Sequence, residues 1–229
     1  MFLSNTGKSF LAAALISTIF GGCGFFKGII ERSPTAGPTT KGGIPFVVKE
    51  PEVFQAEFVS TSGDSSTVSF YARKGGNWRF DTAFNSPDSV SLVKTDKMYS
   101  ISRANKTYSE IPTGQGVSPE PDFFIDMTHA LLKQPNNVKF EEAGRNGTIA
   151  KYKVTIGDSS VSEAIIYFDE SAGMITREEF MSGSDQGSPP AFVFEMRNLK
   201  MEVDDSIFAI PVDYRQIAWT DHLMLKQKK

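Results

Sequence analysis

Cysteine and histidine are almost missing from this 229-residue chain: there is one cysteine, Cys23, and there are two histidines, His129 and His222. A lone thiol has no partner for an internal disulfide, so a cross-linked framework is excluded. Two separated imidazoles, with no His-x-x-x-His or Cys-x-x-Cys spacing, leave a zinc site without ligands. No metal and no cofactor is therefore expected. Charge is thin as well. The formal balance is −3 at pH 7, and the cations form no stripe, which argues against a nucleic-acid partner and against a polybasic lipid-binding patch. No apolar run reaches the roughly 20 residues that a membrane-crossing helix needs.

The machinery of common catalytic motifs is also lacking. Gly183-Ser-Asp-Gln-Gly187 has its serine in the wrong place for a nucleophile elbow. Gly42-Gly43 sits in no strand–helix junction, so a phosphate loop is absent. Glu178-Glu179 is a carboxylate pair in sequence only, because a strand sends adjacent side chains to opposite faces. Asp204-Asp205 reads as the start of a turn before Phe208. His129 reads as a helix-edge residue with a local hydrogen-bond partner, not as a base. An enzyme is not expected.

What is present begins at the N-terminus. Lys8 is the single cation before an uncharged apolar run, Phe10 to Phe20, and Gly21-Gly22-Cys23 follows. Cation, apolar core and small residues at a cleavage point make residues 1–22 a secretory signal peptide. Ile19-Phe20-Gly21-Gly22-Cys23 resembles the lipobox of bacterial lipoproteins, departing from it in carrying Phe20 where that family prefers Leu, Val or Ile. The resemblance implies cleavage before Cys23, a diacylglyceryl group on its thiol, acylation (typically palmitate) of the new amino terminus, and membrane attachment through those chains. Gly24 after the cysteine implies delivery to the outer membrane, facing the periplasm.

Residues 23–49, rich in Pro, Gly and Thr, read as a flexible tether. A β domain is expected over 50–215, followed by a C-terminal tail over 216–229. Within the domain the period is two. Phe54, Ala56 and Phe58 alternate with polar residues, as do Val68, Phe70 and Ala72, and Trp78, Phe80, Thr82 and Phe84. Further strands are expected near 90–93, 97–102, 107–111, 138–142, 148–155, 161–168, 174–181 and 191–203, with a phase slip near Asn198 that a bulge would cause. One helix is expected from about Pro121 to Gln134, carrying Phe123, Phe124, Met127 and Leu131. Strands around an isolated helix argue for α+β with an antiparallel sheet.

Trp78-Arg-Phe80, the hairpin residues Lys97-Met-Tyr-Ser and Lys106-Thr-Tyr, and the closing run from Asn198 through Asp204-Asp205, Phe208 and Pro211 to Tyr214 resemble the lipoprotein-carrier family typified by LolA and LolB. The resemblance covers about residues 50–215. It implies a curved antiparallel half-barrel of about eleven strands, with a helix covering or plugging the mouth of an apolar cavity. It also implies a cavity arginine, for which Arg79 is the nearest by strand, although its phase opposes Trp78 and Phe80. Phe54, Phe58, Phe70, Trp78, Phe80, Phe168, Phe192 and Phe194 from the sheet, with Phe123, Phe124, Met127 and Leu131 from the helix, are the candidate lining residues. Aromatic rings in a concave pocket suit acyl chains, and the same residues would equally make a packed core. The implied function is a monomeric, lipid-anchored envelope protein that binds a lipid or a lipoprotein's acyl chains. The alternative is a non-enzymatic module that docks a partner protein.

Overall fold

A computed structural model describes residues 44–49, 51–114, 138–156, 163–181 and 189–227. Residues 1–22, Cys23, most of the expected tether and the expected helix with Phe123, Phe124, Met127, His129 and Leu131 lie outside the described residues.

Eleven strands fall where the alternation places them. They are β1 (Val53–Ser62), β2 (Ser65–Lys74), β3 (Asn77–Thr82), β4 (Val90–Lys94), β5 (Met98–Ser102), β6 (Thr107–Glu110), β7 (Val138–Asn146), β8 (Ile149–Ile156), β9 (Ala164–Asp169), β10 (Met174–Phe180) and β11 (Phe192–Lys200). A two-residue strand, β12 (Arg215–Gln216), and a helix, α1 (Trp219–Gln227), follow. All twelve strands form one sheet, ordered β12-β6-β5-β4-β3-β2-β1-β11-β10-β9-β8-β7. Every pairing is antiparallel except β12 on β6, which is parallel. Tight turns set this order: Gly75, at φ 58°, supplies the left-handed residue between β2 and β3. The pairing of β1 with β11 joins the two meanders. The ends of the sheet, β7 and β12, do not pair, so it is an open half-barrel.

The expected α+β class is corrected. The described residues are mostly β, in a single open sheet, and no helix among them covers a mouth. The one helix among them, α1, sits by β6 at the sheet's end. The physical reason lies in the connections. Short hairpins keep successive strands in one sheet, and no described link is long enough to cross over with a layer of helices.

The slip expected near Asn198 is present. Gln55 faces Lys200 while Glu57 faces Arg197, so β11 carries an extra residue there, and Asn198 takes a positive φ of 54°. The bulge keeps Leu199 on the face that Phe194 and Met196 use. Asp204 caps the 3-10 turn Asp205–Phe208, its carboxylate accepting from the Ser206 amide at 2.8 Å.

The stretch read as tether ends inside the fold. Phe46 is buried and stacks on Phe168 at 4.6 Å, with Tyr152 at 5.2 Å and Phe140 at 5.9 Å. The Lys49 amide donates to the Gly173 carbonyl at 2.8 Å.

Candidate ligand-binding face

Strand register sorts the side chains into two faces. On the inner face Ala56, Tyr71, Phe80 and Leu92 form one row across β1 to β4. Phe54, Arg73, Trp78, Lys94 and Met98 form the next row. Beyond β1, Phe58 faces Met196 and Ser60 faces Phe194; Phe194 faces Glu178, then Ile166 and Tyr152. Two apolar clusters share this face. One runs from Met174 through Phe194, Phe58, Phe54 and Tyr71 to Trp78. The other joins Phe46 to Tyr152, Val154, Ile166 and Phe168. Val48 packs against both, so the apolar surface is continuous from β8 to β5.

The candidate lining residues on the sheet divide clearly. Phe54, Phe58, Trp78 and Phe194 are buried together, with Phe80 and Phe192 packed against them, and Phe168 belongs to the neighbouring cluster. Phe58 stacks on Phe194 at 5.5 Å. Phe70 is the exception. It pairs in register with Glu57 and Asp81 and lies on the outer face, stacked on Phe84 at 4.9 Å. Of the apolar phase of β2, Phe70 and Ala72 pack with the closing segment, and Tyr71 is the inner residue.

The inner face holds residues that alternation alone did not single out. Tyr71 was hidden because Ser69 and Arg73 give its phase a polar look. Glu178 is 1% exposed between two apolar neighbours, and Glu179 faces the other way, as alternation requires. Burial, and then the charge of Glu142 beside it in the row, raise the Tyr152 hydroxyl above the usual phenol range. Arg73 is an arginine on this face, in register with Phe54 and Trp78. Arg79 is on the outer one, where its guanidinium grips Asp81 at 2.8 and 2.9 Å and donates to the Ile207 carbonyl at 2.8 Å.

The outer face is chemically different. Over β8 to β11 it is a charged ladder: Arg177 pairs with Glu179 at 2.7 Å and Glu195 at 3.6 Å, and Arg197 with Glu195 at 2.6 Å. Lys151 and Arg177 both lie over the Tyr167 ring, at 5.2 and 5.9 Å. Over β2 to β6 it is covered by Val203, Phe208 and their neighbours. Among the described residues, no group of three or more His, Cys, Asp or Glu is placed to hold a metal.

No protein-family model matches the chain, and no curated protein sequence matches it. Several solved structures are similar. An uncharacterized conserved protein from Thermus thermophilus matches at 12% identity over 72% of this chain and 89% of its own, with a TM-score of 0.41. The MucA/MucB complex of Pseudomonas aeruginosa matches at 10% identity over 72% of this chain and 58% of that one, with a TM-score of 0.44. A LolA superfamily protein from Nitrosomonas europaea matches at 11% identity over 71% of this chain and 92% of its own, with a TM-score of 0.29. This chain thus spans little more than half the length of the MucB chain it resembles.

Proposed function

We propose that the protein is a non-enzymatic, lipid-anchored component of the cell envelope whose inner sheet face binds acyl chains. The observation that carries this reading is the contrast between the two faces. One carries a connected cluster of aromatic and aliphatic side chains across seven adjacent strands, from β10 to β5, with Arg73, Lys94 and Glu178 set among them, whereas the other is charged or already covered. Acyl chains bind by burial rather than by directed bonds, and a curved sheet faced with Phe, Tyr, Trp and Met suits that chemistry. The occupant is a lipid or the acyl chains of a lipoprotein, and the activity is carriage rather than turnover. Solvent extraction of the protein purified from membranes without detergent exchange, followed by mass spectrometry, tests this. A stoichiometric lipid is expected; repeated recovery of lipid-free protein overturns it.

The anchor is Cys23. Its acylation would hold the domain to a bilayer almost permanently, since each buried CH₂ contributes about 0.8 kcal/mol. Delivery to the outer membrane, facing the periplasm, follows from Gly24. An intact mass that lacks residues 1–22 and carries a diacylglyceryl group is expected. Release of Cys23→Ser into the soluble fraction is expected as well, and a membrane-bound Cys23→Ser protein contradicts the anchor.

A second reading, docking of a partner protein, has one observation in its favour. Among the described residues β7 pairs only with β8, and none of them occupies its other edge, where a strand could add. Lys139, Glu141, Glu142 and Arg145 lie along it as charges that resist indiscriminate pairing. Loss of a partner on Phe140→Pro, with acyl binding retained, would support docking.

A further inference from the structure

Basic and acidic side chains both interrupt the inner face, and they stand in different rows. Where β2 and β4 end and β3 and β5 begin, register aligns Phe54, Arg73, Trp78, Lys94 and Met98 across β1 to β5. Glu178 belongs to another row, that of Phe194, which faces Ser60 of β1. Phe54 and Ser60 are six residues apart on one strand, so the two rows are separated by about 20 Å. Between them lie Ala56, Tyr71, Phe80 and Leu92, then Phe58 and Met196.

The basic row holds its cations unlike the cations elsewhere on the sheet. Lys74, Lys97 and Lys106 each pair with a carboxylate at 2.8 Å. Lys94 Nζ donates instead to the Thr95 carbonyl at 2.6 Å and the Asp96 carbonyl at 3.5 Å, and among the described residues no carboxylate pairs with it. Carbonyls satisfy its hydrogen bonds and leave its charge without a counter-ion. Lys94 is half-buried beside the buried Trp78, so it has also lost part of its hydration. Arg73 stands on the other side of Trp78, half-buried, with its Nε buried. A guanidinium has five N–H donors, enough for a partner within the protein and an oxyanion at once. β2 and β4 flank β3, which sets the two backbones about 10 Å apart. Both side chains are long enough to converge on a group placed over Trp78.

We infer that this row is the headgroup site for an acylated ligand whose polar end is an oxyanion, a phosphate diester or a carboxylate. The anion sits over Trp78 between Arg73 and Lys94, and the chain runs across the apolar rows toward Phe58 and Phe194. That orientation keeps the anion away from Glu178. The assignment rests on the acyl-binding reading and narrows it. A diacylglyceryl group and an acylated amino terminus carry no anion, so the occupant is an acidic lipid rather than a lipoprotein.

Equilibrium binding of the intact mature protein to chain-matched lipids in uncharged micelles tests this. Two pairs are compared: dioleoylphosphatidylglycerol against diolein, and oleate against methyl oleate. At least one acidic member is expected to bind about tenfold tighter than its neutral partner at low salt, the margin shrinking as salt rises. Preference within the first pair assigns a phosphate, and within the second a carboxylate. Lys94→Gln should cut the margin about fivefold and leave the neutral lipid's affinity unchanged. Arg73→Lys, which keeps the charge and loses the fork, should cut it about threefold. Lys153→Gln, on the outer face of β8, should leave it unchanged. Equal binding within both pairs overturns the headgroup site and leaves acyl binding intact. A margin retained in full by Lys94→Gln and Arg73→Lys also overturns the site. Failure of all four lipids to bind overturns the acyl-binding reading itself.

Discussion

Glu178 and Glu179 are neighbours in the chain and occupy opposite faces of β10. Glu178 is buried on the inner face, in register with Ile166 and Phe194. Glu179 faces outward, bound to Arg177 at 2.7 Å and accepting from the Tyr167 hydroxyl at 3.3 Å. One residue of phase separates a polar group set in an apolar surface from a member of a charged ladder.

Their removal should therefore differ in cost. Glu179→Ala loses a partly solvated ion pair and is expected to cost less than about 1 kcal/mol. Glu178→Ala empties a fully buried site beside Ile166 and Phe194 and should cost roughly 2–3 kcal/mol. Urea midpoints at a constant m-value check this. Equal costs would mean that the two residues are not partitioned between faces.

Arg79 and Asp81 hold the closing segment to the outer face. Asp81 is 1% exposed, and its carboxylate takes two bonds from the guanidinium. Asp81→Ala strands a largely buried cation, and a loss of about 3 kcal/mol is expected. Arg79→Lys cannot restore the fork to Asp81 together with the bond to the Ile207 carbonyl. In both variants, amides 203–210 should exchange faster while β8 and β9 stay protected; uniform acceleration would contradict a local clamp.

Phe46 ties the start of the described domain to the sheet through Phe168, Tyr152 and Phe140. Phe46→Ala should cost about 3 kcal/mol and open residues 44–49 to limited proteolysis. An unchanged cleavage pattern would place the boundary of the folded unit later in the chain.

Most of the sheet was legible in the sequence. Alternation located eleven strands, and the slip at Asn198 marked the bulge, because a half-buried strand writes its environment into every second residue. The fold class was misjudged as α+β from the order of elements; hairpin connections make a single sheet instead. The structure places Phe70 outward, because on β2 the apolar phase Val68-Phe70-Ala72 faces away from the inner cluster while the polar-looking phase Ser69-Tyr71-Arg73 faces it, so hydrophobicity alone points to the wrong face. Helix α1 left no trace either. Trp219-Thr-Asp-His-Leu-Met-Leu has no clear apolar stripe, and among its holds on the sheet is the Ser100–His222 contact, which no spacing rule announces.

The carboxylates set the acid response. Burial pulls Asp169 upward, but hydrogen bonds from the Ser171 hydroxyl and amide, from Thr148 and from the Ala172 amide outweigh it and hold the group below the usual range. Ser206 lowers Asp204 and Lys106 lowers Asp213 in the same direction. A group depressed in the folded state contributes stability that is present above its unfolded value, about 3.9 for Asp, and is lost as pH falls through the folded one. The urea midpoint should hold between about pH 7 and pH 5 and decline below about pH 4, with a shallower decline in Asp169→Asn. A decline of the same slope in that variant would remove Asp169 from the account.

The central claim is that acyl chains occupy the inner face, and photolabelling tests it most directly. A fatty acyl chain carrying a terminal diazirine, crosslinked to the intact protein and mapped residue by residue, should mark Phe54, Phe58, Trp78 and Phe194. Unlabelled monoolein should compete the adducts away. Adducts on the outer-face residues Glu57, Phe70 and Glu195, or labelling that competitor does not reduce, would contradict it.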